Sequence, residues 1–293
     1  MYIRYLSKEQ KNRKSVFPSY FYDEEYFRTM APNCRQLFRE SYGHMLGQHR
    51  MGYFQLSKLD KGMKLIDLGC GAGEFLMYCA LKTETESWGI DYSAAAIKIA
   101  KELCALLPSS VQSRIHLELG DCTELGNFHD DYFDRIIWFS VIEHLYDWQI
   151  EKVLKESFRI LKPGGIFITE THPNRNALRF GYPIGRLILN ILKGDKKSLK
   201  FASRGDEHVN IQSPQSIKRH FTMAGFQTQV ILRANVEFVN YPKWVKTIGH
   251  IVRNRPPLNW LFGDEITVIA AKSRAILKKW NYLIPSFISL AVG

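Results

Sequence analysis

From about residue 63 the chain alternates short apolar runs with amphipathic stretches. The runs at 64–68 (KLIDL), 87–91 (SWGID), 114–119 (RIHLEL), 133–139 (FDRIIWF) and 165–171 (GIFITET) read as strands, with helices between them. Residues 93–106 (SAAAIKIAKELCAL) open on a serine suited to an N-cap and then show helical apolar spacing. Residues 213–224 (SPQSIKRHFTMA) begin with another Ser-Pro helix start and stop before Gly225, and 226–233 and 265–272 read as closing strands. Strands regularly separated by helices predict an α/β fold, a seven-stranded, mostly parallel, doubly wound Rossmann-like sheet. Residues 1–60 form a helical cap on this reading and 61–272 the core. Residues 172–212 form an inserted lid and 273–293 an apolar-basic tail.

A chain of 293 residues with 45% apolar side chains can bury one large core, or a core plus a subdomain. No run reaches the length of a spanning helix, and the first ten residues lack a signal-like apolar stretch, which points to the cytoplasm. Cysteines 34, 70, 79, 104 and 122 are odd in number and contain no CxxC pair, so reduced thiols are expected and no metal site is implied. The net charge of +11 divides unevenly. Residues 1–60 carry +4, 61–170 carry −6, 171–204 carry +7, 205–241 balance at zero, and 242–293 carry +6. The positive field belongs to the segments around the core and not to the core itself.

The sharpest chemical signal is Asp67-Leu68-Gly69-Cys70-Gly71-Ala72-Gly73, set between an apolar strand and the helix-like EFLMYCALK. Glycines at such a turn permit positive φ and close ligand approach, while the helix start offers free N–H donors. Asp91 ends the next strand, where a carboxylate can accept both ribose hydroxyls, and Asp121 follows the third, placed to accept from an adenine amino group. Tyr92 can cover the adenine face. Dinucleotide binding is the competitor, but its GxGxxG spacing for a pyrophosphate differs from this turn, whose third glycine comes one residue early.

The succession DLGCGAG, GID, GDC, a strand ending FSVIEHL, and LKPGG resembles the motifs of class I S-adenosylmethionine-dependent methyltransferases, over about residues 60–272. The resemblance implies S-adenosylmethionine as cofactor. It implies that Asp67, Gly69 and Gly71 hold the methionine end, Asp91 the ribose and Asp121 the adenine. Cys70, Gly73, Tyr92, Cys122 and Phe139 complete the candidate cofactor set. Thr171-His172-Pro173-Asn174-Arg175-Asn176 with Glu207-His208 is more loosely similar to the O-methyltransferases of ubiquinone biosynthesis, which implies a small apolar or lipid-like acceptor met at a membrane surface.

Methyl transfer from a sulfonium is an in-line displacement, so alignment dominates and a general base adds about a hundred- to ten-thousandfold. His144, just beyond the fourth strand, and His208, before the sixth helix, are the catalytic candidates; His172 ranks behind them. Glu143 orients its neighbour or caps the following helix. At Phe139-Ser140-Val141-Ile142 the chain lacks the Asn/Asp-Pro-Pro-aromatic element of amino-methyltransferases that act on flipped bases, so a nucleic acid is not favoured. In the insertion, Arg186, Asn190, Lys193 and Lys197 fall on one helical stripe, with Ile184, Leu187, Ile188, Ile191 and Leu192 over the rest. Such a helix suits either the headgroup region of an anionic bilayer or a lid packed on the domain. Aromatics crowd 16–56, among them Phe17, Tyr20, Phe21, Tyr22, Tyr26, Phe27 and Tyr53. They read first as core and second as a lining for the acceptor pocket. An RNA or protein methyltransferase docking through the basic insertion, and a non-catalytic cofactor-binding protein, are the alternatives of other kinds. Oligomeric state is not legible in the sequence.

Overall fold

The computed structural model describes residues 22–29, 32–185, 187, 208–233 and 258–280. Seven strands, β1 Lys64–Leu68, β2 Glu86–Asp91, β3 Ile115–Leu119, β4 Phe133–Phe139, β5 Leu161–Thr171, β6 Gln227–Arg233 and β7 Glu265–Ala271, form one sheet in the order β3-β2-β1-β4-β5-β7-β6. Neighbours from β3 through β5 pair in parallel, and β7 runs antiparallel to both β5 and β6. The Rossmann-like expectation holds, with strand boundaries within a residue or so of the apolar runs except in β5. That strand begins at Leu161 because Phe133 already pairs with it, and a bulge absorbs Lys162 to Gly165 before Arg135 meets Ile166.

The apolar runs are continuous and not alternating because both faces of the sheet are covered. Along β1, Ile66 and Leu68 join a cluster containing Ile150, Val153 and Leu154 of helix Asp147–Ile160 and Ile217 and Phe221 of helix Pro214–Met223. Leu65, one residue out of phase, joins Tyr53 and Leu56 of helix Gln48–Ser57 and Phe75, Leu76 and Cys79 of helix Glu74–Thr83. Each such fully buried aliphatic contributes about 1.5–3 kcal/mol, which fixes the register of the strand between two helix layers.

Helix starts follow the expected chemistry. Ser93 Oγ accepts from Ala96 N (3.1 Å) ahead of helix Ala94–Cys104, and Ser213 Oγ accepts from Ser216 N (3.1 Å) ahead of Pro214–Met223. Before β1 stand helices Glu24–Thr29, Pro32–Glu40 and Gln48–Ser57. Beyond β5 the chain forms a π-helical turn, Ala177–Gly181, which continues helically to Gly185 and packs against helix Leu258–Phe262. The expectations for Phe17, Tyr20, Phe21, Arg186, Asn190, Lys193, Lys197, Ile188, Ile191, Leu192 and the tail beyond Trp280 lie outside the described residues. All five cysteines are free thiols. Among the described residues no helix is long and apolar enough to cross a membrane.

Candidate active site

The parallel strands deliver their carboxyl ends to one edge of the sheet, and a cleft opens there. Gly69, Gly71, Ile90, Asp91, Tyr92, Gly120, Asp121, Cys122, Ser140, Val141 and His144 all line it, from the turns after β1, β2, β3 and β4. In the first turn, Gly69 N and Cys70 N donate to Ile90 O (2.7 and 3.0 Å), which draws the turn over β2. Gly69 has φ +73°, and a Cβ there would stand 2.5 Å from Val141 Cγ2. Gly71 (φ +55°) faces the Phe27 ring, 3.6 Å from where its Cβ would be. The backbone conformation favours glycine at both positions, and at Gly69 the space demands it as well.

Asp91 is 8% exposed. Its Oδ2 accepts from Gly71 N (2.9 Å) and its Oδ1 from Ser93 N (2.9 Å). Burial pushes the carboxyl above its ordinary range, and these two bonds offset only part of that rise. Each oxygen keeps a further lone pair, so the carboxylate can still take two hydroxyl donors from the cleft. Asp121 Oδ1 accepts from Thr123 N (2.8 Å), which fixes its side chain at the cleft wall. Tyr92 lines the cleft edge-on to Tyr22, with centroids 5.6 Å apart.

Four expected cofactor residues lie behind that wall. Asp67 is buried beneath the turn, and its carboxyl is pushed up to about 7 by burial, against the pull of Arg50 and with the push of Asp91 and Glu74. Cys70 has its thiol held up by burial. Gly73 (φ +75°) caps helix Glu74–Thr83. The Phe139 ring sits between Tyr53 (4.6 Å) and Phe75 (5.2 Å), with the Arg50 guanidinium 4.6 Å from its centroid. These four shape the turn and its floor; the lining residues are the ones placed to touch a ligand.

The histidines separate in space. His144 lines the cleft, with its Nδ1 2.8 Å from Tyr22 Oη and its ring edge-on to His208, centroids 4.8 Å apart. Glu143 is buried, its carboxyl pushed up to about 7 by burial, while His172 and a bond from Thr171 Oγ1 (2.8 Å) oppose that rise. Ligating atoms of Glu143, His144 and His208 lie within 4.8 Å of one another, so among the described residues these three could converge on a cation. His172 instead bonds Glu170 Oε1 through Nδ1 (3.0 Å).

Sequence reasoning missed Arg50 and Glu170, whereas its core reading of the aromatics holds for Tyr22, Phe27 and Tyr53, which are buried in core clusters. Arg50 Nη1 reaches Glu170 Oε2 (3.2 Å), and Tyr22, Tyr26 and Phe27 roof the cleft. Ser93 Oγ donates to Tyr22 O (2.6 Å), and Arg35 bonds Glu74 (3.1 Å) and Phe27 O, so the segment is tied to the core at both ends. No local pattern announces the Arg35–Glu74, Ser93–Tyr22 and Arg50–Glu170 contacts, because their partners lie about forty to over a hundred positions away in the chain.

The glycine cradle and the Asp91 carboxylate fit an adenosyl cofactor, and comparison with known proteins agrees. Residues 59–216 match the family described as methyltransferase domain. A sterol 24-C-methyltransferase of Aspergillus fumigatus is 25% identical over 206 residues, 66% of this chain and 53% of its own length. The ubiquinone/menaquinone biosynthesis C-methyltransferase of Geotalea daltonii is 30% identical over 145 residues, 48% of this chain and 59% of its own. The chain thus spans about half the length of these curated relatives. A solved S-adenosylmethionine-dependent methyltransferase from Archaeoglobus fulgidus shares the fold at TM-score 0.52 and 20% identity, covering 86% of this chain and 98% of that one. The matched family, the strand order and the cleft agree: the chain belongs to the methyltransferase-domain family, with the Rossmann-like fold of the S-adenosylmethionine-dependent methyltransferases and S-adenosylmethionine as its cofactor.

Proposed function

We propose that the protein transfers a methyl group from S-adenosylmethionine to a small apolar or lipid-like acceptor. The observation that carries this reading is the cleft wall opposite the glycine turn, built from Tyr22, Tyr26, Phe27, Val141 and Leu145, which suits an uncharged, apolar partner. Two relatives named above, for sterol and for ubiquinone/menaquinone methylation, act on acceptors of that character. S-adenosylmethionine supplies an activated methyl carbon, so the protein's share is alignment and exclusion of water. Asp91 takes the ribose hydroxyls, Asp121 the adenine amino group, and Gly69 and Gly71 permit close approach. Tyr22 Oη, 2.8 Å from His144 Nδ1, holds that ring at the cleft wall. Calorimetry with S-adenosylhomocysteine, followed by transfer of radiolabelled methyl into solvent-extractable material, tests the reading. Label confined to water-soluble products or to macromolecules would contradict it.

The same reading takes an anionic bilayer surface as the source of the acceptor. The segment beyond β5 turns its small residues, Ala177 and Gly181, inward and exposes Phe180, Ile184 and Leu187. Leu258 and Trp260 on the contacting helix are exposed as well. Arg179 lies 5.3 Å from the Phe180 ring, and residues 171–204 carry +7 in sequence. Outward apolar side chains beside basic ones fit a headgroup layer better than water. Cosedimentation with phosphatidylcholine vesicles, with and without phosphatidylglycerol, tests this. Equal partition into neither would count against it.

A further inference from the structure

We infer that the outer edge of β6 is a docking site for an extended, acidic peptide segment of a partner protein, which joins the sheet as an added strand. The site is independent of the methyl-transfer reading above. β6 is the last strand of the sheet, and among the described residues it pairs with β7 alone. In an antiparallel ladder every second residue turns its N–H and C=O away from the neighbouring strand, so β6 carries a row of donors and acceptors on its outer side. A groove of about 480 Å³ lies there, lined by Gln227, Thr228 and Gln229. Successive strand side chains point to opposite faces, so a groove that touches all three follows the edge of the strand and not either face.

The two helix layers supply its walls. Helix Pro214–Met223, whose Ile217 and Phe221 pack in the same cluster as Ile66, brings Lys218 and Thr222 to one side. Helix Arg274–Lys278, whose Leu277 packs with Leu65 and Tyr53, brings Arg274 and Lys278 to the other. The three cations are exposed, none pairs with a carboxylate among the described residues, and no carboxylate lines the groove. Such a one-signed lining favours a partner of opposite charge. An added strand alternates its own side chains between the two walls. Acidic residues at successive positions therefore meet Lys218 on one side and Arg274 and Lys278 on the other.

The strand edge selects among anionic partners. A peptide offers N–H and C=O groups in alternation and satisfies both kinds on β6. A phosphodiester backbone offers acceptors only, which leaves the outward carbonyls of β6 facing partial charges of their own sign. A second copy of this chain presenting the same groove would set Lys218, Arg274 and Lys278 against their counterparts, and like charges across an interface oppose association. The groove also stands clear of the cofactor cleft. Thr228 pairs with Ala270, which pairs with Phe167, four residues back from the Thr171 end of β5. That is roughly 13 Å along the strand, so an occupant of the groove leaves the cleft open.

Fluorescence anisotropy tests this with the full chain at low salt and labelled peptides of about eight residues. One peptide alternates glutamate pairs with valine, a second has lysine for every glutamate, and a third keeps the glutamates but has proline for valine. The first binds saturably and the second does not bind. The third, with its charge intact and ladder donors removed, binds about tenfold more weakly or worse. Arg274→Glu with Lys278→Glu, both on exposed positions, weakens binding of the first about tenfold or more. Lys218→Glu, from the opposite wall, weakens it in the same direction. Lys155→Glu, an exposed cation on helix Asp147–Ile160, leaves it unchanged. Circular dichroism of every variant matches the wild type, and amide hydrogen exchange over residues 227–233 slows when the first peptide binds. Absence of binding, binding unmoved by the charge reversals, or binding without slowed exchange in β6 overturns the proposal. So does tighter binding of a labelled single-stranded oligonucleotide than of the first peptide, or a wild-type dimer in sedimentation that the charge reversal dissolves.

Discussion

Gly69→Ala isolates the fit between the turn after β1 and the loop after β4. The added Cβ falls 2.5 Å from Val141 Cγ2, at a residue whose φ is +73°. A left-handed conformation costs a non-glycine residue about 1–2 kcal/mol. Forcing a methyl into an occupied volume typically costs about 1–3 kcal/mol more. Together these predict a loss of about 2–5 kcal/mol by urea denaturation, and a weakened affinity for S-adenosylhomocysteine because Gly69 lines the cleft. Val141→Ala removes the opposing methyl groups. In the Gly69→Ala background it restores the steric part, about 1–3 kcal/mol, and leaves the backbone part, so the double-mutant cycle shows coupling of that size. A Gly69→Ala variant as stable as wild type, or a cycle with no coupling, would refute the assignment of this glycine to a steric need.

Asp91→Asn keeps the side-chain shape but turns one acceptor into an NH2 group facing a backbone N–H, Gly71 N or Ser93 N, each now 2.9 Å from a carboxylate oxygen. It should destabilise the fold by about 1–3 kcal/mol in a melting experiment and weaken cofactor-product binding at least tenfold by calorimetry. Glu143 and Asp67 each have a folded-state carboxyl raised to about 7, above an unfolded value near 4. Their contribution is full below about pH 4 and is lost as pH rises through 7. Melting temperature should accordingly fall between pH 5 and 8 on their account, and Glu143→Gln should flatten part of that slope; an unchanged slope would count against the burial argument. The pair Ile184→Asp and Leu187→Asp, both exposed, should cut partition onto phosphatidylglycerol-containing vesicles about tenfold or more while cofactor-product binding stays at the wild-type value.

Much of the scaffold was legible because a doubly covered parallel strand has only one sequence form, a short continuous apolar run. KLIDL and FDRIIWF carry it, and the equally buried antiparallel strand EITVIAA has the same form. The turn motif was legible for a related reason, since positive φ at Gly69, Gly71 and Gly73 leaves a mark in residue type. Asp91 and Asp121 followed from their place at strand ends. The start of β5 was not legible, because Lys162-Pro163-Gly164-Gly165 reads as a turn and only pairing with β4 makes it a bulged strand. Phe139 was expected at the cofactor, yet strand alternation turns it toward Tyr53 and Phe75 in the layer below. Arg50, Glu170 and the roof of Tyr22 and Phe27 depend on where a pre-sheet helix docks, which no local pattern encodes. Glu170 is a chain neighbour of His172, but the Ser140 contact that holds Glu170 is visible only once β4 and β5 lie side by side.

The most direct measurement of the central claim is calorimetric titration of the wild type and of Gly71→Val with S-adenosylhomocysteine, with circular dichroism confirming that both are folded. Gly71 has φ +55° and lines the cleft beside Asp91. The account predicts saturable one-to-one binding by the wild type and none by the variant. Absence of binding by the folded wild type, or equal binding by both, would contradict it.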